Sequence, residues 1–224
     1  MSEKLDELTI DTKKLAEQLK FPEGEFGHEL ALEMNEANAM LSKMSFANLK
    51  CQPGDTLLEI GPGNAMLSRD AVDAIGESGQ YIGIEHSQDM IEEAQANLKG
   101  LSCRNILFKT GDCLEITFEE NEFADRIVAI NVIYFIDDLD AFFKKIYSWQ
   151  RKGGCISIGV RSKECLEKIP LTKNGFIIRS TEEIMGSMLA AGFRDIKIDQ
   201  KIEGERRLSD QTFEVECLVL SGHK

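Results

Sequence analysis

Thr56-Leu57-Leu58-Glu59-Ile60-Gly61-Pro62-Gly63-Asn64-Ala65 decides how the chain is read. An apolar run carrying one acid breaks into a tight glycine turn, the pattern of a buried strand, a ligand-holding loop and the start of a helix. Gly61 and Gly63 carry no Cβ, so the backbone can turn sharply and approach a ligand closely. A pyrophosphate-binding loop needs a third small residue in the spacing G-x-G-x-x-G/A, so that helix and strand pack around a phosphate on the helix N-terminus. That position is Met66 here, and the small residue falls one place earlier, at Ala65. Glu59 would also repel a pyrophosphate and attract a cation: at about 4 Å and an effective dielectric of about 20, one such pair is worth roughly 4 kcal/mol before desolvation. No G-K-[ST] follows, so a Walker loop is excluded.

Outward from the turn, the pattern alternates helix and strand. Gln52-Pro53-Gly54-Asp55 leads into the central strand, and a helix over 66–75 closes at Gly76. A second strand, 80–85, ends in Glu85. Ligands of open α/β sheets lie at the carboxyl ends of the strands, so Glu85 enters the same crevice as the glycine turn. Its two acceptor oxygens suit both hydroxyls of a ribose, with His86 at the ribose edge. Ser87 caps a helix to 98. A third strand, 105–109, is followed by Gly111-Asp112-Cys113, and a fourth, 126–131, runs into Asn131-Val132-Ile133-Tyr134-Phe135-Ile136-Asp137-Asp138. Next come a helix over 139–149, the turn Lys152-Gly153-Gly154 and a fifth strand, 155–160. Residues 161–179 lack period and read as an irregular loop or short helix near the pocket. Ser180-Thr181-Glu182-Glu183 is a capping box for a helix closed by Gly192. Strands over 194–202 and 212–220 finish the chain.

The acidic lead-in, the glycine turn and this order of parts resemble the class I S-adenosylmethionine (SAM) dependent methyltransferases. SAM carries an ammonium and a sulfonium, in keeping with the charge of Glu59. The resemblance spans about residues 51–222 and implies an α/β, Rossmann-like, doubly wound seven-stranded sheet, mostly parallel with a C-terminal antiparallel hairpin, plus N-terminal helices. It also implies SAM as cofactor, S-adenosylhomocysteine as product and no metal. The implied cofactor-binding set is Glu59, Gly61, Gly63, Asn64, Ala65, Glu85, His86, Met90, Asp112, Cys113 and Asn131. Within it Asp112 accepts the adenine amine, and Met90 packs either on the adenine or in the core. Asn131-x-x-Tyr134 has the spacing of the [DNS]-P-P-[YFW] motif of amino-group methyltransferases, without its prolines.

Ahead of this domain, assigned to residues 51–224, residues 1–50 read as a helical extension or lid. An amphipathic helix over 2–20 carries Leu5, Leu8, Leu15 and Leu19, and a second over 29–46 carries Leu30, Met34, Ala37, Leu41 and Met44 along one stripe. Asn35 and Asn38 flank that stripe; by resemblance they touch SAM or substrate, and as plain surface residues they are solvated.

A chain of 224 residues can bury roughly 70 to 75% of its unfolded surface and needs no staples. The six cysteines (Cys51, Cys103, Cys113, Cys155, Cys165 and Cys217) show neither a C-x-x-C pair nor metal-ligand spacing, so neither zinc nor a disulfide framework is indicated. The net charge of −13 opposes binding to a phosphate backbone, and a nucleic-acid substrate is disfavoured. Lys163, Lys168, Lys173 and Arg179 are the densest basic set, interrupted by Glu164 and Glu167, and read as a solvated loop face. With no apolar run long enough to span a bilayer and no N-terminal signal pattern, the expectation is a cytoplasmic protein.

The resemblance implies methyl transfer by in-line displacement to a small-molecule acceptor, for which alignment supplies most of the catalysis. If a base is used, His28 is one candidate, and Tyr134 is a candidate to face the methyl group or wall the substrate pocket. Three other readings stand beside it: a SAM-binding regulatory protein without turnover; a nicotinamide-dependent dehydrogenase, against which Glu59 and Met66 count; and a nucleic-acid methyltransferase, which the acidic net charge disfavours.

Overall fold

Five of the apolar runs lie side by side in one direction. β1 (Thr56–Ile60), β2 (Gln80–Glu85), β3 (Asn105–Thr110), β4 (Ala124–Ile130) and β5 (Gln150–Arg161) are parallel. β6 (Arg194–Leu208) and β7 (Gln211–His223) form an antiparallel hairpin, with β7 also paired to β5. The order across the sheet is β3-β2-β1-β4-β5-β7-β6. The chain therefore winds one way from β1 and the other way from β4, leaving between them the switch-point crevice where open α/β sheets take ligands. This computed structural model describes residues 12–208 and 211–224. Leu5 and Leu8 of the expected first stripe lie outside the described residues.

Both faces of the sheet are covered, which is why the central strands read as near-continuous apolar runs. Every residue of β1 is buried, the acid Glu59 included. On one face α5 (Leu139–Trp149) and α7 (Thr181–Ala191) supply Phe142, Phe143, Ile146 and Met188, joined by Phe193. On the other, α3 (Arg69–Ala74) and α4 (Gln88–Asn97) supply Val72 and Ala94, joined by Ile75 and Leu98. The capping box at Ser180 and Glu183 forms, and Gly192 closes α7 in the left-handed region.

Ahead of the sheet, α1 (Thr12–Lys20) is followed by α2 (Gly24–Leu49), which at 26 residues is about 39 Å long. α2 starts five residues before its expected beginning. The Gly24 amide donates to Asp89 Oδ2 at 2.8 Å, a tertiary anchor on α4 that no local pattern announces. Among the described residues no helix is long and apolar enough to cross a membrane.

Two boundaries differ for physical reasons. Lys152-Gly153-Gly154 is a bulge inside β5, where the register passes from Ala124↔Gln150 to Arg126↔Cys155. β6 and β7 run beyond the last β5–β7 pair, Arg161↔Cys217, as a projecting arm. Its charged stretch Glu203-Gly204-Glu205-Arg206 hides the strand period, while Phe213 and Val215 pack on Cys165. The remainder of 161–179 holds a short helix, α6 (Lys163–Leu166), and a 3-10 turn, Pro170–Lys173.

Candidate cofactor and acceptor site

A cavity of about 730 Å³ opens at the carboxyl ends of the parallel strands, with α1, α2 and Pro22 over it. Its floor is the glycine turn. Gly61 (φ 67°) and Gly63 (φ 55°) both lie in the left-handed region, and the Gly61 amide donates to the Ile84 carbonyl at 2.8 Å, locking the turn to β2. A Cβ on Gly61 would stand 2.6 Å from Val132 Cγ2, whereas one on Gly63 would meet nothing within 4 Å. Gly61 is therefore required by packing, and Gly63 leaves open space on the cavity side. Ala65, in the place of the third small residue, is buried and also left-handed, at φ 51°.

The three acids named from the sequence, Glu59, Glu85 and Asp112, line this one cavity. Each also has structural work. Glu59 Oε2 accepts from the Tyr81 hydroxyl at 2.7 Å. Burial pushes the Glu59 carboxyl up to about 7, against hydrogen bonds from Ser68 and Tyr81 that lower it, with the charge of Glu85 adding to the rise. Glu85 accepts three main-chain amides: Gly63 on Oε2 at 2.9 Å, and His86 and Ser87 on Oε1 at 2.7 and 3.1 Å. A carboxylate offers about four lone-pair directions. With three in use, Glu85 as placed can take one further donor, not the two ribose hydroxyls expected of it; the Gly63 amide would have to move to free a second. Asp112 Oδ1 accepts the Leu114 amide at 2.7 Å.

Asn64 is buried behind the turn. Its side-chain oxygen accepts from Asn35 Nδ2 at 3.2 Å, and its carbonyl accepts from Asn97 Nδ2 at 2.8 Å, tying α2 and α4 to the loop. His86 is exposed at the cavity edge, and Met90 is buried with its side chain in the lining. Cys113 also borders the cavity; burial, with Asp112 beside it, pushes its thiol up to about 12, so it is no thiolate at neutral pH. All six cysteines, Cys113 included, are free thiols.

At the other end, Asn131 (φ 56°) donates from Nδ2 to Asn38 Oδ1 at 2.9 Å and accepts from the Tyr134 hydroxyl at 3.3 Å. The Tyr134 hydroxyl in turn accepts from the Arg161 amide. Burial holds that phenol well above its ordinary range. Tyr134 thus walls the cavity with its ring while its hydroxyl is committed to the main chain, and it is no proton acceptor at neutral pH. Phe176 stacks on it with ring centres 5.8 Å apart. His28 is not brought to the cavity: it is exposed on α2, with Nδ1 2.8 Å from Glu93 Oε1, a hydrogen bond that raises its pKa.

The structure also brings in residues that pattern reading passed over. Arg161 ends β5 with Nη1 2.7 Å from Glu203 Oε2 and Nη2 2.6 Å from the Ala37 carbonyl, binding the arm and α2 together. A charged residue closing the apolar strand 155–160 was the available signal. Arg179 is no solvated loop cation: it donates to the carbonyls of Ile133, Ile136 and Asp137 and fixes the turn after β4. Lys168 and Lys173 are exposed as expected.

A family profile described as "Methyltransferase domain" matches residues 51–190. The demethylmenaquinone methyltransferase of Desulfitobacterium hafniense is 34% identical over 115 residues, covering 51% of this chain and 45% of that protein. Phosphoethanolamine N-methyltransferase 3 of Arabidopsis thaliana is 25% identical over 160 residues, covering 69% of this chain and 32% of its own length. The match thus spans less than half the length of either relative. Among solved structures, a chain of the Haloferax volcanii complex between the Trm112 methyltransferase activator and a methyltransferase candidate shares the fold, with a TM-score of 0.72 at 16% identity, covering 95% of this chain and 97% of that one.

Proposed function

The chain belongs to the class I SAM-dependent methyltransferase family, and from that premise we propose that it moves a methyl group from SAM to a small-molecule acceptor by in-line displacement. The observation that carries this reading is the meeting of Glu59, Glu85 and Asp112, from the ends of three adjacent strands, around the open side of Gly63. The residues fit a cationic nucleoside. Glu59 and Glu85 are buried acids whose pKa values are both raised by desolvation, so a cation seated beside them would favour their ionised forms. Glu85 keeps one acceptor direction for a ribose hydroxyl, and Asp112 Oδ2 is available to an exocyclic amine.

When bound, SAM supplies an electrophilic methyl carbon on sulfonium. What this chain adds is placement and exclusion of water. Near-attack alignment alone can be worth roughly 7 to 11 kcal/mol. Asn131 and Tyr134, cross-braced to Asn38 and Arg161, form a stiff wall between the acid end of the cavity and its apolar far end. The helices over 12–49 serve as the lid of the catalytic domain, since Leu30, Met34, Asn35 and Asn38 all reach the lining. A volume of about 730 Å³ falls within the range of roughly 300 to 1,000 Å³ usual for small-molecule sites, in keeping with a small acceptor beside the cofactor.

Calorimetric titration with SAM and S-adenosylhomocysteine tests the reading. Glu85→Ala is expected to weaken both at least tenfold, about 1.4 kcal/mol; unchanged affinity would remove Glu85 from the site. Radiolabelled SAM added to fractionated small-molecule extract should label an acceptor. Tight binding with no label in any fraction would favour a SAM-binding protein without turnover.

A further inference from the structure

The cavity changes character with distance from the three acids. Its far half is walled by Leu166, Ile169, Leu171 and Phe176 from the segment after β5 and by Phe213 of β7. Two arginines reach this apolar half. Arg161 is answered by Glu203 and by the Ala37 carbonyl. Arg206, on the projecting arm, is not. It lines the cavity and is partly buried, yet its guanidinium makes no hydrogen bond or ion pair with any described residue.

A guanidinium carries a permanent charge and five donors in a planar fork. Arg206 keeps part of its surface in water; what sets it apart is a permanent charge at the border of an apolar cavity with no described protein group answering it, a position where a ligand's anion could replace that water. The fork suits an oxyanion, which it can hold through two parallel hydrogen bonds. Glu205, the neighbouring residue on β6, also borders the cavity and is exposed; its charge lowers the pull on an anion without pairing with Arg206. The rest of the molecule offers anions little, with a net charge of −13.

Resting on the methyltransferase reading of the same cavity, we infer that the acceptor is an amphipathic organic anion. Its apolar body lies against Leu166, Leu171, Phe176 and Phe213, and its carboxylate or phosphate pairs with Arg206. Arg206 is then a specificity-determining residue: it selects what is methylated and takes no part in the transfer.

The test uses the full chain saturated with S-adenosylhomocysteine and four probes sharing one ten-carbon tail: decanoate, decyl phosphate, decanol and decylamine. By calorimetry, one or both anions should bind at least tenfold more tightly than decanol, with decylamine weakest, and the better anion tells carboxylate from phosphate. Arg206→Gln should abolish the anion's advantage, Arg206→Lys should keep part of it, and Glu205→Gln should enlarge it. Equal binding of decanol and both anions, no binding of any probe, or an advantage that survives Arg206→Gln overturns the inference. The preceding titration with S-adenosylhomocysteine, run on each variant, separates the two levels. Failure at that step strikes the methyltransferase reading, whereas normal cofactor binding without anion preference strikes only the acceptor class.

Discussion

The two ends of the cavity are held by different parts of the chain. At the glycine turn the geometry is mostly main chain: Gly61 bonds to the Ile84 carbonyl, and Glu85 gathers the amides of Gly63, His86 and Ser87. At the far end it is mostly side chain, brought from α2, the segment after β5 and the hairpin arm, which are distant in sequence. The first arrangement tolerates little change because backbone torsions and strand register fix it. The second can exchange one apolar side chain for another of similar volume at small cost in stability, usually under about 1.5 kcal/mol. A fold that keeps its cofactor and varies its acceptor needs that division.

Matched glycines break or confirm the comparison most forcefully. Gly61 (φ 67°) and Gly175 (φ 83°) are both left-handed, one at each end. An alanine at either position pays roughly 1 to 2 kcal/mol for the backbone. At Gly61 the new Cβ would also meet Val132 at 2.6 Å, while at Gly175 it would meet nothing within 4 Å. Overpacking adds roughly 1 to 3 kcal/mol. In urea unfolding Gly61→Ala should therefore lose about 2 to 5 kcal/mol, and Gly175→Ala no more than about 2, with the dependence on denaturant unchanged. Equal losses would mean that the turn is no stiffer than the far loop.

Proton linkage sharpens the contrast with a somewhat smaller effect. Glu59 is held at about 7 by burial, above the unfolded value of about 4.3. The folded state therefore binds more protons than the unfolded one between these values. Its relative stability is fully present below about pH 4, falls as pH rises through 7, and is flat beyond. The drop is roughly 3 to 4 kcal/mol, and Glu59→Gln should remove it, so the difference in stability between wild type and variant is the quantity to follow from pH 4 to pH 8. Added SAM should offset the loss at pH 8 in the wild type, because a cation favours the ionised carboxylate and a ligand bound by the folded state stabilises it. A difference that stays constant with pH would show Glu59 ionised throughout.

The same division explains what could be read in advance. β2 and α5 begin and end where the pattern placed them, and the acids near the ends of β1 and β2 and just after β3 fell together because parallel topology fixes where strand ends lie. Roles were harder than positions. Nothing local shows that the Tyr134 hydroxyl is taken up by the Arg161 amide, that Glu85 also holds the Gly63 amide, or that His28 turns to Glu93 instead of the cavity. The deciding partners are distant in sequence: Gly63 lies 22 residues from Glu85, Arg161 27 from Tyr134 and Glu93 65 from His28. Arg206 was invisible for the same reason: in sequence it is one charge among several, and only the arm beyond β5 carries it to the cavity.

Ala65 gives the smallest effect and the narrowest test of how far the main chain rules its end of the cavity. It is the small residue that closes the glycine turn, at φ 51°, with its methyl buried in the core beneath α3 and α4. Ala65→Gly relieves roughly 1 to 2 kcal/mol of left-handed strain. Against this stand about 0.8 kcal/mol for the lost buried methyl and roughly 0.5 to 1 kcal/mol of added chain entropy in the unfolded state. The terms nearly cancel, so the unfolding midpoint should shift by no more than about 0.5 kcal/mol equivalent. Because the methyl points into the core, SAM affinity should change less than about threefold, roughly 0.7 kcal/mol. A tenfold gain in affinity without a gain in stability would mean that the main chain at Ala65, and not only at Gly61 and Gly63, sets how closely the cofactor approaches.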